Sequence, residues 1–419
     1  MTKDQRCALA EHRGDPQVTR LLKRFDLAAG MRNIVLLRLL FVMANALGPF
    51  AALFFQRHYR LDSSAVALVI TLMSAFYLVG NLLGGALVGR CSFRALLICT
   101  SSCSSLFLLF AAVFSSSIAS IVMVLLFMLC AGLITPVFSI LTSLAADESN
   151  RVASFGYLHL ASNLGGALLF VMGGYLLGLD SHYLMLFAMV ASVLCLLASV
   201  FLALPERQGA VIEAGKASIG AMVDVPRIVI VAGAMFFALS VLDAQREYQL
   251  PLWLDGVTAG KAAGLFGAVG IVNALLVIVL TQPLIALTSR FGALTNLSLA
   301  AVFYGIGFGA YAFFEQTVLI LSFVFFWTLG EILGITYVTA LIAQKTTLQT
   351  QASLFSLIPT VLAGARMVSV GLGASLITGI GFQLSWSLYG LVGILFGGGF
   401  LLVAARKTAA PRVPSPDRS

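Results

Sequence analysis

Twelve apolar runs, each long enough to cross a lipid bilayer, dominate this sequence. Hydrophobic residues make up 60% of the 419-residue chain and charged residues only 10%, whereas an ordinary soluble domain carries about 25% charged residues. A soluble fold of this length could not hide so many apolar side chains from water, and a membrane helix needs about 20 of them in succession. We therefore predict an all-α polytopic membrane protein. The predicted spans are 34–56, 65–87, 96–115, 118–145, 152–178, 183–204, 228–254, 260–287, 293–314, 317–343, 353–380 and 382–405.

The distribution of lysine and arginine predicts the orientation of these spans. With the amino terminus inside, nineteen of the 25 basic residues fall in inner segments, three in outer segments and three within spans. Because cytoplasmic loops are enriched in Lys and Arg, we place both termini in the cytoplasm and the chain in the inner (plasma) membrane. This distribution also accounts for the net charge of +8, so no nucleic-acid partner is expected.

The longest internal hydrophilic stretch divides the chain into two halves of six spans. We predict a cytoplasmic segment at 1–33, a six-helix bundle at 34–204, a cytoplasmic linker at 205–227, a second six-helix bundle at 228–405 and a cytoplasmic tail at 406–419. The two halves echo each other weakly in sequence. Such an echo is typical of two parallel repeats that form pseudo-symmetric bundles in a transporter.

Three segments resemble those of a known transporter family. The segment 85–94, between the second and third spans, resembles the family's loop motif, although Gly89 stands where the family has Asp and Ser92 where it has Gly. The segment 283–292 is similar to the second copy of that loop, and 327–331 resembles a segment that carries a membrane-embedded Glu. On these segments the chain resembles the major facilitator superfamily, and in particular its bacterial drug:proton antiporters.

The resemblance implies a secondary active transporter that couples proton movement to the export of amphipathic small molecules by alternating access. Its partners would be a small-molecule substrate, protons and membrane lipid, and we expect a monomer without a cofactor. By the same resemblance the loop residues would take part in gating. These loop residues are Gly85, Arg90, Arg94, Arg290 and Gly292.

Six ionisable residues lie within the predicted spans, where each costs about 2.5–3.5 kcal/mol at the centre of a helix. Glu331 lies 14 residues into the span 317–343, without a basic residue within a helical turn. A carboxyl group in a low-dielectric cavity favours its protonated form, so we predict that Glu331 handles the coupling proton; the alternative is a structural hydrogen bond between helices. The other five are Arg38, Asp243, Arg246, Glu247 and Arg366.

Asp243, Arg246 and Glu247 are spaced so that they share one face of a helix, with Pro251 following as a predicted kink at the outer end. They form either a proton or substrate site with an internal counterion, or an ion-pair network that only holds helices together. We place the two carboxylates among the proton-coupling candidates.

Arg366 lies near the middle of its predicted span and needs an acidic partner, for which Glu331 is the favoured candidate and Asp243 the other. Arg38 lies only about five residues inside the first span, close enough to snorkel to the cytoplasmic surface. We include both, with Arg246, as candidate cavity or counterion residues.

Neutral polar residues within the spans complete the candidate substrate cavity. His159 is interpreted as a packing residue. The candidates are Asn45, Tyr77, Asn163 and Asn273.

The function classes differ in what they require of the sequence. No GxxxxGK[ST] phosphate-binding motif, nucleophile elbow or paired-histidine metal motif occurs, so neither an ATP-driven pump nor an enzyme is predicted, and no metal is expected. A sensor with this fold and no transport cycle is a further alternative. Within transport, the alternative is a proton-coupled carrier of an anionic metabolite or siderophore, in either direction. The three intramembrane arginines favour it, because Arg binds carboxylates bidentately.

The orientation predicts that Ser218, in the linker, faces the cytoplasm. In a cysteine-free background carrying Ser218→Cys, a membrane-impermeant maleimide should label the residue only after the cells are opened. Ser64→Cys, before the second predicted span, is the control that should be labelled in intact cells. Labelling of position 218 in intact cells would overturn the topology.

Overall fold

A computed structural model describes most of the chain. The described residues are 29–409 without 89, 115–116, 146–150, 206–224, 259 and 347. Within them the ordered segments are all helical. Most of the predicted amino-terminal segment 1–33 and linker 205–227, and the end of the tail 406–419, lie outside the described residues.

The helices follow the predicted apolar runs closely, and we number the spans in chain order. Span 1 is Ala29–Ala44 and Leu47–His58, span 2 Ser63–Val88, span 3 Phe93–Val113, span 4 Ser117–Ala145, span 5 Arg151–Leu179 and span 6 Ser181–Phe201. Span 7 is Arg227–Asp243, the 3₁₀ turn Ala244–Arg246 and Gln249–Val257; span 8 is Ala262–Thr288, span 9 Ala293–Gly309 with the 3₁₀ turn Ala310–Ala312, and span 10 Thr317–Lys345. Spans 11 and 12 lie within Leu348–Ala409, before and after Gly381.

The division at Gly381 makes the number of spans twelve. Among the described residues eleven helices are long and apolar enough to cross a membrane, and the last of them is Leu357–Leu401 with 45 residues. A straight helix of that length would measure about 68 Å, roughly twice the thickness of a bilayer core. Gly381 interrupts it with φ 77° and ψ 173°, a conformation open to glycine alone. The predicted fold of twelve membrane helices is therefore confirmed.

Glycines let helices pack closely within each half. Spans 2 and 4 approach so closely that a Cβ added at Gly80 would overlap the carbonyl oxygen of Leu129. In the other half, a Cβ at Gly393 of span 12 would lie 2.7 Å from the Cα of Gly305 in span 9. Small residues allow this backbone contact, which replaces the hydrophobic effect as a source of helix association in lipid.

Span 1 is broken near its middle by Pro49. Proline has no backbone N–H, so the carbonyl of Asn45 cannot accept the helical hydrogen bond from position 49. It accepts one from the N–H of Gly48 instead, at 2.9 Å. The chain turns at Asn45 and Ala46 and then resumes its helix. The break leaves irregular backbone inside the bundle.

Span 7 is broken by Pro251, but not where the sequence predicts it. A kink was expected at the outer end of this span, whereas the helix ends at Asp243 and restarts at Gln249. The ring of a proline and its missing N–H disturb the carbonyl four residues earlier, which here belongs to Glu247. The break therefore falls on the charged residues of span 7.

The two halves meet at the side of the protein that is predicted to face outward. An ion pair of 2.5 Å joins Arg57 at the end of span 1 to Asp255 at the end of span 7. The hydroxyl of Tyr248 donates a hydrogen bond of 2.9 Å to the carbonyl of Ser63, at the start of span 2. These contacts tie the outer part of span 7 to the first half.

Spans 5 and 8 close the same side with a glycine contact. A Cβ added at Gly267 would lie 2.7 Å from the carbonyl oxygen of Phe170, and one at Gly174 would lie 2.9 Å from the Cα of Gly267. The rings of Phe50, Phe170 and Phe266 pack together beside this contact, with centroids 5.2–5.7 Å apart. The outer side is therefore sealed by direct backbone and aromatic packing.

The contact at Gly267 predicts that one added methyl group has different effects at two positions of span 8. Gly267→Ala should force spans 5 and 8 apart and destabilise the outer-closed state by about 1–3 kcal/mol. Gly264→Ala is the matched control, because a Cβ at that position of the same helix would meet no atom within 4 Å. Thermal stability of the purified variants reports the effect. Equal behaviour of the two variants would contradict the contact.

Candidate functional site

Five ionisable side chains from three spans converge inside the second half of the protein. Their side chains keep 18–28% of their surface exposed. Such partial exposure inside a membrane bundle indicates side chains that face a water-accessible cavity rather than lipid. We call this group the charged cluster; its members are Asp243, Arg246 and Glu247 of span 7, Glu331 of span 10 and Arg366 of span 11.

Arg246 lies between two carboxylates. Its Nη2 is 3.4 Å from Oδ2 of Asp243, and its Nη1 is 3.2 Å from Oε2 of Glu331. The guanidinium carbon lies 5.8 Å from the ring centroid of Trp327, one turn before Glu331 on span 10. Glu331 thus obtains from span 7 the basic partner that it lacks on its own helix.

Arg366 pairs with Glu247, which corrects the partner expected from the sequence. Its Nη1 is 3.1 Å from Oε2 of Glu247, and its Nη2 donates to the carbonyl of Gly48 in span 1 at 2.8 Å. The sequence favours Glu331 as the partner because spans 10 and 11 follow each other in the chain, with Asp243 as the other candidate. Glu247 follows the 3₁₀ turn Ala244–Arg246, which winds three residues per turn instead of 3.6. Glu247 therefore leaves the helix face that it would share with Asp243 in a regular α-helix.

Asn273 of span 8 completes the surroundings of Glu331. Its Nδ2 donates to Oε2 of Glu331 at 2.8 Å and to Oγ1 of Thr328 at 3.1 Å. Oε2 of Glu331 therefore accepts hydrogen bonds from both Asn273 and Arg246. Such donors stabilise the ionised form of a carboxylate.

Asp243 is held differently from Glu331. Its Oδ1 is buried and makes no hydrogen bond of normal geometry within the described residues. The hydroxyl of Tyr304 on span 9, a residue only 4% exposed, is close enough to interact with the Asp243 carboxyl group. Nothing in the apolar sequence of span 9 marks Tyr304 as a site residue, because only the fold brings it to span 7.

Arg38 does not snorkel to the surface as the sequence suggested. Its Nε donates to Oγ of Ser162 on span 5 at 2.8 Å. Its guanidinium packs over the rings of Phe41 and Phe138, 5.6 and 5.2 Å from their centroids. These partners lie inside the first half, so the side chain extends between helices instead of along span 1 to the lipid headgroups.

Besides Asn273, the neutral cavity candidates are divided between two places in the first half. Tyr77 donates to or accepts from Oγ1 of Thr135 at 2.8 Å and lies within electrostatic range of Arg38, and Asn163 is half-buried next to Ser162 on span 5. Asn45, in contrast, lines a separate small cavity among spans 1, 3, 4 and 6, and its Nδ2 bonds to its own helix.

His159 of span 5, which the sequence suggested is a packing residue, is exposed. It lies within electrostatic range of both Arg38 and Glu331. A side chain that lies close to charged groups of both halves faces the space between the halves. His159 therefore lies on the side of span 5 that faces the second half.

In the loop between spans 2 and 3, Arg94 donates to the carbonyl of Leu202 at 2.7 Å and so ties span 3 to the end of span 6. Arg90 is exposed at the turn. A Cβ at Gly85 would meet no atom within 4 Å, whereas one at Gly84 would overlap the backbone of span 4. Close packing of this segment therefore depends on Gly84.

The second loop, between spans 8 and 9, has a different anchor. Arg290 is exposed and its guanidinium lies 4.9 Å from the ring centroid of Phe291. Gly292 precedes the first turn of span 9 with an extended backbone. The side chain of Asn296 donates to three loop carbonyls, so this buried amide, which the sequence did not single out, holds the loop.

Two six-helix halves around a cavity with paired intramembrane charges define a secondary transporter. The sequence profile of the Major Facilitator Superfamily matches residues 34–370. The chain therefore belongs to this superfamily, which confirms the superfamily resemblance and excludes an enzymatic role. No curated protein sequence matches the chain.

Solved transporter structures share the fold at low sequence identity. A peptide transporter POT in complex with sulfate has a TM-score of 0.72 and 16% identity over 91% of this chain and 95% of that chain. A POT family transporter in complex with 5-aminolevulinic acid has a TM-score of 0.74 and 12% identity over 90% and 96%. The nucleoside transporter NupG has a TM-score of 0.70 and 11% identity over 88% and 99%. At these identities the likeness shows the fold alone and lends no support to the drug:proton antiporter branch.

The pairing of Arg366 with Glu247 predicts a specific rescue. Removing one partner of a buried ion pair costs about 3–5 kcal/mol; we expect about 2–3 kcal/mol for Arg366→Leu, because both side chains keep about a fifth of their surface exposed. Arg366→Leu combined with Glu247→Leu should recover much of this loss, since the orphaned charge is gone. Arg366→Leu combined with Glu331→Leu is the control without rescue. Thermal unfolding of the purified variants measures the cycle, and simple additivity of the first pair would contradict the assignment.

Proposed function

We propose that this chain is a proton-coupled secondary transporter, in which Asp243 and Glu331 share one coupling proton. The observation that supports this is the unequal number of charges in the charged cluster. Three carboxylates face two guanidiniums, so the fully ionised cluster carries one net negative charge. A net charge in a low-dielectric site is costly, and one bound proton removes it.

The contacts indicate which carboxylates share that proton. Arg366 is occupied by Glu247 and by a backbone carbonyl of span 1. Arg246 is the remaining cation, and both Asp243 and Glu331 approach it. One guanidinium balances one carboxylate, so the excess charge belongs to the Asp243–Glu331 pair.

Within the pair, the structure favours the proton on Asp243 when the outer side is closed. Glu331 already accepts hydrogen bonds from Arg246 and Asn273. Asp243 has one buried oxygen without such a donor, and protonation relieves this. A shift of Arg246 towards Asp243 would pass the proton to Glu331. Of the three proton-coupling candidates, Glu331, Asp243 and Glu247, we therefore assign the shared proton to Asp243 and Glu331, because Glu247 is paired with Arg366.

Alternating access gives the proton a route to both sides. The contacts that seal the outer side involve spans 1, 2, 5, 7 and 8, and Arg366 links the charged cluster to span 1 directly. A change in the charge of the cluster therefore acts on the contact between the halves. Rocking of the halves around a midplane site is the general mechanism of such transporters.

Two solute classes are compatible with this mechanism. The drug:proton antiporter resemblance of the loop segments favours the export of amphipathic small molecules in exchange for protons. A second candidate is an anionic metabolite, and a specific observation favours it: Arg38 has no acidic partner within the described residues. We place the transporter in the inner membrane as a monomer, and the distribution of Lys and Arg supports cytoplasmic termini.

Variants of the shared pair test the coupling. Glu331→Gln and Asp243→Asn each leave two carboxylates for two guanidiniums, so neither cluster needs a proton. In liposomes, each variant should exchange solute across the membrane without a gradient but lose accumulation driven by a pH gradient. Glu315→Gln, at an exposed acid between spans 9 and 10, should accumulate solute as the wild type does.

The outcome separates coupling from structure. A purely structural role of Glu331 and Asp243 predicts lower thermal stability with coupling intact in the surviving protein. Accumulation at the wild-type level in both variants would exclude them as the coupling groups. Gradients of opposite sign in the same liposomes show whether solute moves with the proton or against it.

A further inference from the structure

Arg38 is held in place by neutral groups alone. Its Nε donates to Oγ of Ser162, which in turn donates to the carbonyl of Leu158 at 3.0 Å. The rings of Phe41 and Phe138 lie against its guanidinium, a favourable position for a cation. The guanidinium is thereby oriented without being neutralised.

The two terminal amino groups of Arg38 remain available. Within the described residues only Nε makes a hydrogen bond, and no carboxylate lies within ion-pair distance. Nη1 and Nη2 are also absent from the fully buried polar atoms that lack a partner, so they reach accessible space. An unpaired arginine inside a membrane protein is costly, and an incoming anion would relieve that cost.

Arg38 lies on the side of the first half that faces the charged cluster. His159, one turn before Ser162 on span 5, is exposed and within electrostatic range of both Arg38 and Glu331. The first half therefore presents the positive charge of Arg38 to the space between the halves, and the second half presents the net negative charge of the charged cluster. A proton bound by the Asp243–Glu331 pair neutralises the charged cluster. Arg38 is then the charge that remains without a counterion.

We propose that Arg38 binds a carboxylate group of the transported solute through Nη1 and Nη2. A planar guanidinium with both terminal nitrogens free matches the two oxygens of a carboxylate, whereas Nε is already used by Ser162. The proposal rests on the second candidate of the proposed function and makes the solute an organic acid. Because the carboxylate neutralises Arg38 and the proton neutralises the charged cluster, the two are expected to bind together.

A matched set of probes tests the binding site without any gradient. The probes are 4-phenylbutyrate, 4-phenylbutanol, 4-phenylbutylamine and 4-phenylbutylphosphonate, which share one apolar body and differ in the head group. Their affinities for the purified protein are measured by titration calorimetry. The wild type should bind the carboxylate about tenfold or more tightly than the alcohol, as expected for a charge-assisted bidentate contact.

Variants locate the carboxylate at Arg38. Arg38→Gln should abolish the preference for the carboxylate and leave the affinity for the alcohol unchanged, and Arg38→Lys should keep only part of it, because a point charge lacks the planar geometry. Ser162→Ala should weaken carboxylate binding by a smaller factor. Arg32→Gln, at an exposed arginine of the same span, is the control that should bind every probe as the wild type does.

Distinct results would overturn the proposal. Absence of carboxylate binding by the wild type, equal affinity for all four probes, or an unchanged preference in a folded Arg38→Gln protein would each exclude this site. Tighter binding of the phosphonate or the amine would reassign it to another ligand. Proton coupling is measured separately from binding. Glu331→Gln should still bind the carboxylate more tightly than the alcohol. If the protein binds the carboxylate but shows no proton coupling, the proposed function is wrong and the assignment of Arg38 stands.

Discussion

The interaction on which this site depends is the sharing of one guanidinium by two carboxylates in the membrane interior. Arg246 lies within 3.4 Å of Asp243 and within 3.2 Å of Glu331, and it can balance only one of them. A cluster with equal numbers of acids and bases would be a static ion-pair network. The extra carboxylate makes the neutral state of the cluster depend on one proton, which is what coupling to a proton gradient requires.

Two prolines break the helices that carry or contact the charged cluster. Pro251 removes a helical hydrogen bond from the carbonyl of Glu247, and the resulting 3₁₀ turn sends Arg246 and Glu247 towards different spans. Pro49 breaks span 1 in a similar way, next to Gly48, whose carbonyl accepts a hydrogen bond from Arg366. Irregular backbone is tolerated at membrane depth only where protein or a water-filled cavity surrounds it. Both breaks therefore lie where the two halves meet.

The sequence was sufficient for the fold because the constraints that set it are local. The length and apolarity of each run decide that it crosses the membrane. The same rule separates spans 11 and 12, although the helix continues on both sides of Gly381. The residues of the charged cluster were also recognisable, since ionised groups are rare in apolar runs. Their pairing is not recognisable: the adjacency of spans 10 and 11 in the chain favours Glu331 as the partner of Arg366, whereas the partner is Glu247, which follows the 3₁₀ turn in span 7.

Other members of the site carry no signal in the sequence at all. Tyr304 is one aromatic residue among many in apolar helices, and only packing of span 9 against span 7 brings it to Asp243. His159 reads as an isolated polar residue until the fold places it within range of charges in both halves. Arg38 was judged by its distance from the end of span 1, whereas its position depends on Ser162 and Phe138 of other spans. The residues in these contacts are far apart in the sequence, so the sequence of one span cannot predict them.

The central claim is that the charged cluster holds one proton when the other carboxylates are ionised. Infrared difference spectroscopy of the carboxyl C=O stretch in the purified, lipid-reconstituted protein measures this directly. We expect one protonated carboxyl group near neutral pH, with its band absent in Asp243→Asn and retained in Glu315→Gln. A wild-type spectrum without a protonated carboxyl group, or a band that is unchanged in Asp243→Asn, would contradict it.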